Sequence, residues 1–246
     1  MTTLADVKID SLTDLIKENT DERTIEAPKD EFWAGLKSTG TEVWLDTGDI
    51  DAIHGLWTQE MSALTTNNTL LNKEVQKGIY DDFIREAGKI LGDLDPDSQV
   101  REIAFALNAH HGLRLVHAFG GKVSVELHTN LSDDLDGILH YGQRFYGISP
   151  DHFLVKVPLT ATGLLGARLL EEQGIPVNLT LGFSARQNAL VTVFAKPHYC
   201  NVFLGRLNSF VENHELGDGE NVGEKAALSS QRIVMKLSRE KEHSTK

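Results

Sequence analysis

A lysine set in an apolar, β-branched run, FLVKVP at 153–158, is the group whose surroundings most directly suggest covalent chemistry. Side chains alternate faces along a strand, so Lys156 shares a side with Leu154 and opposes Val155 and Val157. Sorting the other β-rich runs by the same alternation collects polar groups on one face. That face carries Trp44 and Asp46, Thr65 and Asn67, Ser124 and Glu126, Asn178 and Thr180, then Asn201 and Phe203. The opposite face is almost entirely Val and Leu. A charged or polar interior costs several kcal/mol per unpaired charge, so it is unfavourable unless its groups pair or are used. For any single residue a structural ion pair explains burial as well as chemistry does, but six runs in phase weaken that explanation. Burial disfavours an ammonium ion, so an inward lysine is suited to attack a carbonyl as the amine. Lysine, the carboxylates Asp46 and Glu126, and nearby amides and hydroxyls are the parts that Schiff-base chemistry needs. The expectation is that Asp46, Glu126 and Lys156 are all withdrawn from water.

The elements that must hold these groups alternate. EVWLDT (42–47), ALTTN (63–67), KVSVEL (122–127), FLVKVP (153–158), VNLTLGF (177–183) and YCNVFLG (199–205) read as six strands, with helical stretches between them. Strand, helix, strand implies a parallel sheet with crossover helices, and a polar interior at the strand ends is how a (β/α) barrel builds a site. ATGLLGARLLEEQG reads as a helix with a glycine stop, and Ser184 suits the N-cap of the next. A long insert separates the second and third strands. Its stretch at 72–91 places Val75, Ile79, Phe83, Ala87 and Leu91 on one helical face at a spacing of four. Two amphipathic helices, 4–17 and 29–37, joined by a charged turn, precede the first strand. The organisation expected is an N-terminal helical segment at 1–40, an α/β barrel domain at 41–234 and a charged end at 235–246.

The 246 residues, 40% apolar, suffice for one substantial core. The formal charge of -12 is spread over helix faces without a basic stripe, which argues against nucleic acid as a partner. No segment approaches the roughly 20 apolar residues that span a bilayer, and the start lacks a basic, then apolar leader, so no membrane role and a cytoplasmic location are expected. Cys200 is the single cysteine, which excludes an internal disulfide and a multi-cysteine metal site; alternation turns it to the helix-facing side. His110, His111 and His117 lie in one helical stretch without a carboxylate or cysteine to complete a ligand set, so no metal is expected.

Taken in order, WLDTGDI, LTTNNTLL, VSVEL, LVKVPLTATG, GIPVNLTLGFSARQ and VFLGR resemble the motifs of the transaldolase family, over about 42–210. The resemblance implies a TIM (β/α)8-type barrel, no metal or organic cofactor, and sugar-phosphate substrates. The implied reaction moves a dihydroxyacetone unit from a ketose phosphate such as fructose 6-phosphate to an aldose phosphate, in the pentose phosphate pathway. Carried over by position, Lys156 matches the Schiff-base lysine and Asp46 the acid/base at the substrate C4 hydroxyl. Glu126 matches the carboxylate that works through a water held by Thr180. Asn67 and Asn178, with Thr65 beside them, match groups that bond the dihydroxyacetone hydroxyls; Asn201 belongs to the same substrate-binding set, and Arg206 matches a phosphate-gripping arginine. Phe203 stands where fructose 6-phosphate aldolases carry tyrosine, which favours transfer over simple cleavage. Asn201 replaces a common serine, Asn68 a proline of TTNP, and the insert is longer than in the shorter members. No segment after Arg206 resembles the family's seventh-strand arginine motif, so the expectation is a barrel incomplete at six strands. An aldolase releasing dihydroxyacetone, a catalytically silent chain that only binds partners or sugar phosphates, and a homo-oligomer are the alternatives left open.

Overall fold

The computed structural model describes residues 4–20, 24–240 and 242–246, with side chains from residue 8 onward. Each β-rich run forms a strand: β1 (Val43–Asp46), β2 (Met61–Thr65), β3 (Lys122–Glu126), β4 (Phe153–Pro158), β5 (Val177–Thr180) and β6 (Tyr199–Cys200). The six are parallel and stand in chain order in one open sheet, β1-β2-β3-β4-β5-β6. Eleven helices are described: α1 (Leu4–Lys17), α2 (Glu31–Ser38), α3 (Ile50–His54), α4 (Asn68–Val75), α5 (Asp81–Ile90), α6 (Pro96–Phe119), α7 (Leu135–Ile148), α8 (Ala161–Glu172), α9 (Ala185–Phe194), α10 (Leu204–Asn213) and α11 (Val222–Glu240). The α/β fold with parallel strands is therefore the one read from the sequence. The charged turn expected between α1 and α2 includes residues 21–23, which lie outside the described residues, as does residue 241 of the charged end.

The chain divides into two compact units, Met1–His128 with Arg144–Leu154, and Thr129–Gln143 with Val155–Lys246. The first is organised on α6. Asp95 caps it by accepting the Ser98 N–H, Pro96 opens it where no backbone donor is needed, and Gly120 ends it in the left-handed region at φ 69°. Thirteen of its residues are buried, among them nearly everything from Phe105 to Phe119, so α6 is a core helix and not an amphipathic one. Gly112 permits close approach to the sheet, since a Cβ there would sit 2.9 Å from the Phe153 ring and 3.0 Å from Val125. Phe105, Phe145 and Phe153 continue the packing, with ring centroids 4.7 and 6.4 Å apart. On its other side α6 meets α1, where the His110 ring bonds the Ile16 carbonyl at 2.9 Å.

In the second unit, α8 is capped by Thr160, whose hydroxyl accepts the Gly163 N–H and donates to the Ser132 carbonyl. Gly142 and Gly166 face Leu170 and Ile138 at contact distance, which seats α7 against α8. The Glu171 carboxylate accepts the backbone N–H of both Val177 and His198 at 2.8 Å, joining the approaches to β5 and β6. At the β6 edge, Lys246 accepts from the Cys200 N–H and donates to the His198 carbonyl.

Three expectations are corrected. The insert stretch at 72–91 is two helices, not one: the chain turns at Gly78 with φ 78°, and Ile79 is 51% exposed. A spacing of four survived across the turn because α4 and α5 each bury one side. The sixth strand holds two residues where seven were read, since the chain leaves the sheet at Asn201 and enters α10 at Leu204. The fifth stops at Thr180, because Leu181 takes φ 69°.

Candidate functional site

The first unit brings four of the expected residues to the C-terminal ends of β1, β2 and β3. Asp46 lies in register with Thr65, and Thr65 with Ser124, two residues before Glu126 on the same face of β3. Asp46 is exposed and Glu126 half-buried, so the expectation that both leave water is wrong for Asp46. Alternation fixes which side a residue takes, not its depth, and Asp46 is the last residue of its strand. Asn67 lies beyond the end of β2 and caps α4, its side-chain oxygen accepting the Leu70 N–H at 2.9 Å.

Around these residues the structure adds partners that sequence reading did not supply. Asn68, the first residue of α4, donates to Glu126 Oε2 through both its backbone N–H and its Nδ2, each at 3.0 Å. The loop after β1 is held by Asp49, which caps α3 and pairs with Lys77 at 3.0 Å, while Lys77 also meets Glu74 at 2.8 Å. The Ala52 N–H and then Lys77 hold the Asp49 carboxyl below the usual carboxylate range. Gly48 in that loop is buried against His111, whose Nε2 would lie 2.9 Å from any Cβ there. The other ring nitrogen of His111 bonds the Tyr80 hydroxyl at 2.7 Å, and Arg114 donates to the same hydroxyl at 2.9 Å. Burial first, and then the Arg114 charge, push the His111 imidazole down to about 3. Gly48 lies in the WLDTGDI segment, but in the sequence His111 reads only as a candidate metal ligand and not as a partner of that loop.

The second unit gathers the lysine and five expected partners. Lys156 lies in mid-β4 at 5% exposure, in register with Asn178, and Pro158 with Thr180; Asn178 and Thr180 are also buried. Asn201 follows β6 and donates from Nδ2 to the Thr180 hydroxyl at 3.3 Å. Leu181 and Gly182 make this approach possible. A Cβ on Gly182 would run into the Asn201 carbonyl oxygen, and the Gly182 carbonyl accepts the Phe203 N–H at 3.0 Å. The Phe203 ring meets Phe183 edge to face at 5.9 Å, and the Arg206 guanidinium stands 4.9 Å over it. Arg206 is exposed in the first turn of α10, where the positive end of the helix dipole also favours an anion. Cys200 is half-buried, and burial pushes its thiol up to about 12. Among the described residues, no group of three or more His, Cys, Asp or Glu is arranged to hold a metal ion. No described helix is long and apolar enough to cross a membrane.

A parallel α/β sheet with crossover helices and a buried lysine in its fourth strand defines a (β/α)-type fold that presents an amine among amides and hydroxyls. The sequence pattern of one such group, described as Transaldolase/Fructose-6-phosphate aldolase, matches residues 43–246. Proteins named transaldolase share this similarity: 33% identity over 174 residues for that of Xanthomonas campestris pv. campestris, 67% of this chain and 53% of the relative. The Nostoc punctiforme protein is 33% identical over 178 residues, 68% of this chain and 52% of its own. The Rhizobium leguminosarum bv. trifolii protein is 34% identical over 176 residues, 68% and 53% respectively. The chain belongs to the transaldolase/fructose-6-phosphate aldolase family. It spans about half the length of the curated relatives it matches.

Proposed function

We propose that this protein is a transaldolase acting in the cytoplasm on pentose phosphate pathway sugars, transferring a dihydroxyacetone unit through an imine on Lys156. The observation that carries the reading is a lysine buried at 5% exposure, in register with Asn178, in a chain of this family. Its amine attacks the C2 carbonyl of a ketose phosphate; loss of water from the carbinolamine gives the imine. Glu126, with a water held at Thr180, handles the protons of that addition and loss. Asp46 takes the C4 hydroxyl proton as the C3–C4 bond breaks, releasing an aldose phosphate. The three-carbon enamine left on the lysine then adds to an acceptor aldehyde, and hydrolysis frees the new ketose. Asn178, Asn67, Thr65 and Asn201 bind the hydroxyls, and Arg206 at the start of α10 binds the phosphate. Phe203, a ring without a hydroxyl, offers no proton donor for quenching the enamine, which favours transfer over release of dihydroxyacetone.

The test is borohydride reduction in the presence of fructose 6-phosphate, followed by intact mass and peptide mapping. A dihydroxyacetone-sized adduct on the peptide containing Lys156, absent from Lys156→Arg, is expected. An adduct on a different lysine, or none at all, removes the reading.

A further inference from the structure

The amide of Asn68 is fully committed, and its commitments point at Glu126. Its Nδ2 donates to Glu126 Oε2 at 3.0 Å and to the Leu127 carbonyl at 3.2 Å, while its backbone N–H adds a second bond to the same Oε2 at 3.0 Å. Its Oδ1 accepts from Asn108 Nδ2 at 3.2 Å, and Asn108 is itself fixed by donating to the Ala104 carbonyl at 3.1 Å. Asn108 is buried at 5% exposure in α6. A chain of hydrogen bonds thus runs from the core helix of the insert, through Asn108 and Asn68, to one carboxylate oxygen. An amide has one acceptor and two donor hydrogens, so an acceptor claimed by Asn108 leaves the donors facing Glu126 and Leu127. Two donors on one carboxylate oxygen, at an angle to each other and set on a helix start, fix its rotation more tightly than either alone.

We infer that Asn68 is a positioning residue for Glu126, aiming its carboxylate for proton transfer, and that Asn108 sets the side-chain orientation of Asn68. The inference rests on the reading of Glu126 as a group that works during imine formation. It gives the insert a task beyond core packing, since α6 supplies the residue that starts the chain.

Position 68 allows a clean test. It is the first residue of α4, after the Asn67 cap, where proline is well tolerated because its missing N–H is not needed by the helix. Asn68→Pro therefore removes both bonds to Glu126 while leaving α4 able to form; Asn68→Ala removes one and keeps the backbone donor. Transient kinetics with fructose 6-phosphate and borohydride quenching is expected to show imine formation slowed about tenfold in Asn68→Ala and more in Asn68→Pro. Neither change is expected to slow further a variant that already carries Glu126→Gln. Asn108→Ala gives a smaller effect of the same kind, and Asn68→Gln, which keeps the backbone donor and an amide, recovers more than Asn68→Ala. Rates in Asn68→Pro equal to wild type, or losses that multiply with Glu126→Gln, overturn the inference. Equilibrium unfolding of wild type, Asn68→Pro, Glu126→Gln and the variant combining the two reads the contact without turnover. Non-additive midpoints there, together with no imine in the wild type, reject the transaldolase reading and retain the contact; additive midpoints reject the contact itself.

Discussion

Asp46 and Lys156 illustrate how differently two residues of one proposed reaction can be placed. Lys156 is buried in mid-strand, whereas Asp46 is exposed at a strand end. In the proposed reaction Asp46 accepts a proton once per turnover and gives it up again. Asp46→Asn is expected to lower turnover by a factor on the order of 10² while leaving imine formation largely intact, because the loss falls on C3–C4 cleavage. Burst measurement of the adduct beside steady-state turnover checks this, and equal loss in both would make Asp46 a structural partner. At this scale the burial of Lys156 was legible in the sequence because a lysine set between valines in a β-rich run is unusual. Asn68 was not legible as a partner of Glu126. An asparagine after an asparagine at a helix start reads as capping chemistry, and a separation of 58 positions from Glu126 carries no local pattern.

Whole elements were read best where local signals and tertiary packing agree. β4 spans the predicted residues to the end, α8 fills the stretch read before its glycine stop, and α9 begins at the Ser184 cap that the sequence shows. β6 was overread because Val202, Phe203 and Leu204 favour strands by residue type, while the Phe203 N–H turns to the Gly182 carbonyl beyond the end of β5. The insert was misread in its first half for the reason already given, yet its second half, α6, was read as a helix. What the sequence could not show is that α6 buries titratable groups. His111 is held neutral by burial, facing Tyr80, Arg114, His110 and Gly48, with Lys77 beyond the loop. Its folded value lies below the ordinary histidine value of 6.5, so its contribution to stability is present in full above 6.5 and is lost as pH falls toward 3. In that window the native protein is expected to lose about 1.4 kcal/mol per pH unit more than a His111→Gln variant, in which this proton is absent. Urea unfolding of both proteins at several pH values between 7 and 4 measures the difference; parallel curves would show that His111 takes up its proton in the native state.

The whole molecule carries a formal charge of -12, so any anion approaches against the average field. The division into two units was not legible from composition, because the boundary does not fall in a linker. It passes through α7 and β4, the strand that carries Lys156. Each unit is consequently discontinuous in the chain, which crosses from one to the other after residues 128, 143 and 154. A single cut cannot separate two intact halves. A fragment ending at residue 128 retains Phe105 and Gly112 but lacks Phe145 and Phe153, the rings that pack against them. Such a fragment is expected to unfold without a sharp transition in a thermal melt, whereas one extended to residue 154 regains much of the cooperativity. A sharp melt of the shorter fragment would show that the returning segment is dispensable. For a ribosome making this chain from its N-terminus, the first unit stays unfinished until residue 154 has emerged, two residues short of the lysine, so Phe145 and Phe153 join a core whose partner ring Phe105 was synthesised 40 residues before Phe145.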